Sequence, residues 1–349
     1  RLELTGGYNK SDDDDIPGSD AVVPNSQGYK QYDVTGAIER SIGSRLSGRA
    51  TLGYTHEKSN DPLLKDFSGF TGSGLLTYHV NPRLDATLSY KRGLENALEP
   101  GVDYVLARRI QADFAYKINP NWYVGLSITA PYGSGTHPNT PWSGSIYTNE
   151  ARLKTIDFNP VIGYKFNEQL SIAAGPRILW AFNGKFNREP LLPASSATAG
   201  YNSLGDVAVG WSAGLTYKPL PGTEIALGYR SRVNLTLEGD FFVPPPIPVA
   251  GKYSVSGGAT TPDQVNLGIK QRIDDRWTAL ASVEWTNWSV LQNIVFSGVP
   301  PIPGANTITF NYRDGWFFAA GLEYKYSAQT TLRGGIAYEI SPVTDRVRD

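Results

Sequence analysis

The chain has 349 residues, with 32 Lys or Arg against 33 Asp or Glu and a net charge of −1, so no global field marks nucleic acid or an anionic surface as its partner. It has no Cys, which excludes a disulfide framework and thiolate metal sites. It is rich in Gly (37), Tyr (20), Phe (13) and Trp (8), yet no apolar run approaches the ~18–20 residues a membrane helix needs. Met is absent too. The chain begins at Arg1 with no signal peptide in view, and is read as a mature or trimmed product.

In chain order, the pattern is two-residue alternation broken by turn residues. Arg1–Asn9 reads as a first rising strand. The acidic run Asp12–Asp15 follows; its carboxylates suit a divalent cation, but a solvated loop is the favoured reading. In Arg109–Ile118, Ile110, Phe114, Tyr116 and Ile118 alternate with Arg109, Gln111, Asp113 and Lys117. The run through Leu170, Ile172, Ile178, Trp180 and Phe182 places Arg177 on the opposite face, and Pro176 predicts a kink or bulge. In Asp206–Lys218, Val207, Val209, Trp211, Ala213, Leu215 and Tyr217 form one face. The next run alternates Ile225, Leu227, Tyr229, Val233, Leu235 and Leu237 with Glu224, Arg230, Arg232, Asn234, Thr236 and Glu238. Val265, Leu267, Ile269 and Ile273 then alternate with Asn266, Gly268, Lys270 and Arg272.

These runs exceed the ~5–6 residues usual in globular sheets, and their second face carries Gly, Ser and charges of both signs. A membrane barrel places the apolar face in lipid and the polar face in the lumen, and must close because lipid cannot satisfy a backbone edge. Short turns recur at Gly43-Ser44, Asn81-Pro82, Asn119-Pro120-Asn121, Asn167-Glu168, Pro219–Gly222, Asp274-Asp275 and Ser327-Ala328, with long Gly-, Pro-, Ser- and Asp-rich segments between. Aromatics such as Tyr54, Trp122, Trp277 and Trp316 sit at strand ends, where an interfacial girdle belongs. The expected fold is an all-β, antiparallel transmembrane β-barrel of 14–16 strands, with short periplasmic turns and long extracellular loops. Residues 1–349 form a single barrel in this reading. Seven turns give fourteen strands, and Arg1–Asn9 makes fifteen. Bacterial barrels are normally even, so the reading expects a further descending strand after Asp349, or one strand fewer.

No catalysis, cofactor or metal is expected. His56, His79 and His137 have no ligand-like spacing, and no nucleophile elbow or phosphate-binding glycine loop occurs. The chemistry lies in the two faces instead. Asp113, Lys117, Asp157, Lys165, Arg177, Arg230, Arg232, Glu238, Lys270, Arg272, Glu284, Glu323, Arg333 and Glu339 are expected to line the lumen, paired across strands. The outer loops are apolar at Trp142, Phe186, Leu191, Leu192, Phe241, Phe242 and Ile302, beside Pro-rich Val243–Pro248 and Val299–Pro303. Exposed apolar loops either bind something or pack on one another. Capture of a hydrophobic cargo is the first reading, with Arg230 or Arg232 as partners for an acid head; mutual packing of the loops is the second.

Several segments, in order, resemble a known family. They are Ala130-Pro131-Tyr132-Gly133; Leu153–Pro160 leading into Ile162-Gly163-Tyr164-Lys165; Leu215–Pro219 before Leu227–Ser231; Thr261-Pro262-Asp263; Asp274–Thr278 before Glu284–Trp288; and Ser341–Asp345. From about residue 119 to 349 the chain resembles the FadL-type outer-membrane transporters. The resemblance implies a bacterial outer-membrane location and passage of long-chain fatty acids or aromatic hydrocarbons. Outer-membrane lipid, lipopolysaccharide and a hydrophobic cargo are then the partners of a monomer. The family's N-terminal hatch, with its Asn-Pro-Ala signature, has no counterpart here. Residues 1–118 read instead as strands unlike the family, and Asp66–Gly72 weakly resembles barrels of exopolysaccharide secretion. A porin or polysaccharide channel for polar solutes is therefore the alternative function, and an adhesive barrel a third.

Overall fold

The computed structural model of the chain describes residues 2–11, 29–59, 66–96, 104–130, 135–136, 150–188, 199–302, 305–327, 330–340 and 342. It divides into two compact units, the first running to Ala115 and the second starting at Tyr116.

The first unit is an antiparallel meander of β1 (Leu2–Ser11), β2 (Tyr29–Ile42), β3 (Leu46–Ser59), β4 (Phe67–Asn81) and β5 (Leu84–Asn96), with β6 (Tyr104–Lys117) following in the chain. One face exposes Val34, Leu52, Tyr54, Phe70, Leu88 and Ile110. The other face is knitted by hydroxyls: Thr51 to Ser73 at 2.7 Å, Thr55 to Thr71 at 3.0 Å and Thr77 to Thr87 at 3.1 Å. Apolar side chains on the exposed face and polar ones on the other invert the order of a water-soluble sheet, as a lipid-facing wall requires.

The second unit continues with β7 (Trp122–Thr129), β8 (Gly135–Thr136), β9 (Glu150–Lys165), β10 (Leu170–Arg188), β11 (Ala199–Tyr217), β12 (Thr223–Arg230), β13 (Asn234–Val243), β14 (Gly251–Thr260), β15 (Gln264–Arg272) and β16 (Trp277–Thr286). A 3-10 turn at Trp288–Val290 and the short β17 (Asn293–Ser297) and β18 (Thr307–Thr309) precede β19 (Gly315–Lys325) and β20 (Thr331–Ile340). β11 pairs with β12 through Ser212–Tyr217 and with β13 through Gly200–Gly205. β12 in turn pairs with β15, and β13 with β14. Thus β12 and β13 are halves of one wall strand, as are β14 and β15, and the described residues hold fifteen long runs, six ending with β6 and nine beyond it.

The short turns share one device. The side-chain oxygen of Asn119 accepts the backbone N–H groups of Asn121 and Trp122, both at 2.9 Å. Asn167 does the same for Gln169 and Leu170, Asn81 for Arg83 and Leu84, and Asp274 for Arg276 and Trp277. An Asx side chain thereby satisfies two N–H groups that the hairpin leaves over. These bonds, from Trp277 first and Arg276 next, hold the Asp274 carboxyl below the usual aspartate range. Asn167→Ala is expected to lower the unfolding free energy by about 1 kcal/mol, from two partly solvated hydrogen bonds. Asn167→Asp, which keeps the acceptor, should stay near the parent. Urea unfolding in lipid vesicles checks this; equal midpoints for the parent and Asn167→Ala would count against the turn's contribution.

At Pro176 the expected bulge is absent, but the ladder is interrupted on one side. Its register with β11 runs through unshifted, Pro176 opposite Trp211. On the β9 side the ladder lapses between Ala174–Ile162 and Ile178–Phe158 and resumes in the same register. Asn159 Nδ2 donates to the Pro176 carbonyl at 2.8 Å there. The bulges of β10 fall further on, between Ala181 and Phe186, where Asn183 takes φ 54°. Proline removes one donor without changing strand length, so it opens the ladder but does not slip it.

Candidate functional site: the inner wall of the second unit

A cavity of about 750 Å³ is lined by Lys165, Ser171, Ala173, Gly214, Thr216, Ala226, Gly228, Asn266, Gly268, Ser282, Glu284 and Phe317, among others. This defines the inner face of the unit. The opposite face of the same strands exposes Ile162, Trp211 and Ile269. Small side chains on β11, β12 and β15 open the space, while Lys165 and Glu284 supply charge at separate points of its wall. Lys165 is held by Glu168 in the turn, at 2.6 Å, and that contact lowers the Glu168 pKa.

Further along the same face stands a buried charge cluster. Asp157 on β9 is fully buried and Arg177 on β10 is 2% exposed. Arg177 Nε and Nη2 donate to Asp157 Oδ2 at 3.0 and 2.5 Å, and Nη1 donates to the Ser231 carbonyl at 2.7 Å. Arg230 on β12 adds a third donor to the same oxygen at 2.8 Å. One carboxylate thus meets two guanidinium groups, leaving one positive charge over. Among the described residues Asp157 Oδ1 and Arg230 Nε have no hydrogen-bond partner. The Arg230 side chain keeps 31% of its surface open, so the spare charge has an accessible edge.

Beyond this cluster the inner face turns apolar. Leu179, Ala181, Tyr201, Leu204, Val233, Leu235, Leu237, Phe241, Val255 and Phe296 form one core. The geometry that fills it is a face exchange. Arg230 points inward to Asp157, but Arg232 pairs with Asp263 at 2.8 Å beside Trp211, Tyr229 and Trp285, on the outward side. Between them Ser231 leaves the ladder, its N–H and hydroxyl bonding the Trp211 backbone. A one-residue slip turns every later side chain over. Leu227 is 42% exposed, whereas Leu235 and Leu237 are 3% and 0%. Two expected lumen residues are corrected by this slip: Arg232 and Glu238 lie on the outward face. β14 and β15 exchange faces the same way across Thr261–Asp263, so Asn266 lines the cavity while Val255 enters the core.

The remaining expected residues are placed as follows. Lys117 lies 5.9 Å over the Tyr123 ring, and Glu323 accepts from Arg333 at 2.5 Å. Glu339 stands opposite Phe317, which stands opposite Glu284. Lys270 stands opposite Glu224, and Arg272 packs beside Gly222. Asp113, in the first unit, takes the Gln111 amide at 2.8 Å. Of the apolar loop residues, Phe241 is a core residue at 2% exposure, not a surface one. Phe186 and Ile302 pack partly against that core, and Phe242 is half-buried. Trp142, Leu191 and Leu192, like Asp12–Asp15, lie outside the described residues. Sequence reasoning missed the role of Ser231; its signal was a small polar residue between two arginines.

Long antiparallel strands with a lipid-compatible outer face, hairpin turns and an inner charge layer define a membrane-spanning β-barrel. The chain belongs to the outer membrane protein transport protein family (OMPP1/FadL/TodX), whose family model matches residues 71–349. The match begins within β4, earlier than the stretch that carries the sequence resemblance. A long-chain fatty acid transport protein of Salmonella typhi is 26% identical over 66% of the chain, which spans only 59% of that relative's length. The crystal structure of a Pseudomonas aeruginosa FadL homologue superposes with a TM-score of 0.58 at 21% identity, over 76% of this chain and 72% of that one. The Ralstonia pickettii toluene transporter TbuX gives 0.50 at 22% identity, over 74% and 75%. The location is the bacterial outer membrane, and the fold is that of the FadL-type barrels.

Proposed function

We propose that the chain is a channel for small hydrophobic molecules, fatty acids or aromatic hydrocarbons, across the outer membrane. The observation that carries this reading is the inner wall itself. On one side of the Asp157–Arg177–Arg230 cluster the inward side chains from Leu179 to Leu237 pack into a closed apolar core, and on the other lies an open cavity with mostly small and apolar lining. A channel for sugars or ions would be wetted by polar groups throughout; here the hydrocarbon part of a cargo finds apolar contact, worth about 0.8 kcal/mol per buried CH₂. The open edge of Arg230 suits a carboxylate, by a charge-assisted hydrogen bond. The name of the Salmonella relative supports the acid as cargo. Such a channel spares an apolar solute the polar lipopolysaccharide layer, which it crosses slowly. The polar-solute channel is disfavoured, and no catalytic step is assigned.

The test is uptake of a labelled long-chain fatty acid and of a neutral aromatic hydrocarbon into cells carrying the barrel. Arg230→Gln is expected to slow the acid about tenfold, the worth of one charged hydrogen bond, and to leave the hydrocarbon unchanged. Free passage of small sugars, with both hydrophobic cargoes unaffected by the presence of the barrel, would replace this reading by the porin.

A further inference from the structure

The outward face of β9 and β10 changes character over a short distance. Tyr164, Ile162, Phe158 and Ile156 share the outward side of β9 with Lys154, Arg152 and Glu150. Their partners on β10 follow suit: Trp180 opposite Ile156, Phe182 opposite Lys154, Lys185 opposite Arg152 and Asn187 opposite Glu150. The Trp180 and Phe182 rings lie 4.8 Å apart, immediately below the basic residues. At the other end Tyr164 packs on Trp122 at 4.7 Å and on Phe166 at 4.8 Å, beside the short Asn119 and Asn167 turns.

From Tyr164 to Lys154 is a rise of ~33 Å along the strand. At the ~40° tilt of barrel strands this becomes ~25 Å along the membrane normal, the height of the apolar band of outer-membrane barrels. The short turns mark the periplasmic end, so Lys154, Arg152 and Lys185 sit at the headgroup level of the outer leaflet. Arg152 Nη2 and Lys185 Nζ share the single carboxylate of Glu150, at 3.6 and 3.7 Å. Lys154 is exposed and has no ion partner among the described residues. Three cations against one carboxylate leave two positive charges. Asp240, on β13 beyond β11, is already held by Lys252 at 2.9 Å. Within the patch the buried Asn187 Oδ1 and Arg152 Nε have no partner among the described residues.

We propose that Arg152, Lys154 and Lys185, with Trp180 and Phe182 beneath them, form a binding site for the phosphorylated glucosamine headgroup of lipopolysaccharide. The cations take the phosphate that a divalent ion otherwise bridges, and the two aromatic rings lie along the acyl chains. A phosphate at this level suits guanidinium and ammonium donors together.

The test uses the purified barrel in phosphatidylcholine vesicles doped with lipid A, with retained lipid A read by native mass spectrometry and by titration. Each near-surface cation contributes about fivefold to binding an anionic membrane surface, so Arg152→Gln/Lys154→Gln/Lys185→Gln is expected to bind lipid A about a hundredfold more weakly. Glu150→Gln, which removes the competing carboxylate and all need for the patch to lose charge, should bind more tightly than the parent. Lys218→Gln at the periplasmic end is the charge-matched control for Lys154→Gln and should bind as the parent does. If the triple variant does not fold, Lys154→Gln alone, at an exposed position, should still weaken binding about fivefold. Parent-like binding by Lys154→Gln, equal binding of dephosphorylated lipid A, or equal retention of phosphatidylglycerol would each overturn the proposal.

Discussion

Asp157→Ala is expected to lower the unfolding free energy of the barrel by about 3–5 kcal/mol, the cost of leaving a buried guanidinium without its carboxylate. Arg177 has 2% of its surface open and gives two of its donors to that one side chain. Arg230, which also donates to Asp157, would then face Arg177 with no anion between them. The effect comes from desolvated charge, so it should depend on both partners. Asp157→Leu combined with Arg177→Met, which removes the charge from each, should recover most of the loss, because a well-packed apolar pair replaces a buried ion pair at little cost. Urea titration in vesicles of the parent, Asp157→Leu, Arg177→Met and the double variant gives the four values of the double-mutant cycle. A midpoint for Asp157→Ala equal to that of the parent would show that the cluster is hydrated and contributes nothing.

The second large effect is expected at Phe241. Its ring lies 4.8 Å from Tyr201, which stacks on Phe296 at 4.1 Å and donates its hydroxyl to the Ala305 carbonyl at 2.5 Å. Phe241→Ala should cost about 3–5 kcal/mol through lost burial and the cavity left behind. Phe242→Ala, one residue on and half-buried, should cost under half as much. The loss should be local: amide hydrogens of β13, β14 and β17 should exchange faster, while those of β15 and β16 keep their protection. If Phe241→Ala and Phe242→Ala prove equally mild, the outer core is looser than its packing implies. The same substitution separates the two readings of these loops, because a cargo contact would lose uptake without losing stability.

Much of the fold is legible in the residues. Alternation shows strands wherever the two faces meet different media, and Asn119, Asn167 and Asp274 mark turns because an Asx side chain supplies acceptors for the N–H groups left over there. Phase alone puts both Arg177 and Arg230 on the inner face. What phase did not show is that they converge on Asp157, since the three lie on β9, β10 and β12 and meet only through the register of the sheet. Phe241 was legible as an apolar loop residue, but whether it is covered depends on Tyr201 and Phe296, 40 and 55 positions away in the chain.

The run from Ile225 to Leu237 separates the two kinds of information most clearly. Its alternation lapses only at Ser231: Ile225, Leu227, Tyr229, Val233, Leu235 and Leu237 share one parity on either side of it. By itself the sequence determined that this parity is apolar and the other polar, and hence that the segment is a two-faced strand. It could not determine which side each half faces, because lipid and a packed core both select apolar side chains, while the lumen and the aqueous exterior both accept polar ones. Only the tertiary structure decided that, by letting Ser231 bond the Trp211 backbone and slip the strand by one residue. The slip sends Arg230 to the buried Asp157, turns Arg232 outward to Asp263, and converts Leu235 and Leu237 from lipid-facing candidates into the core above the cavity.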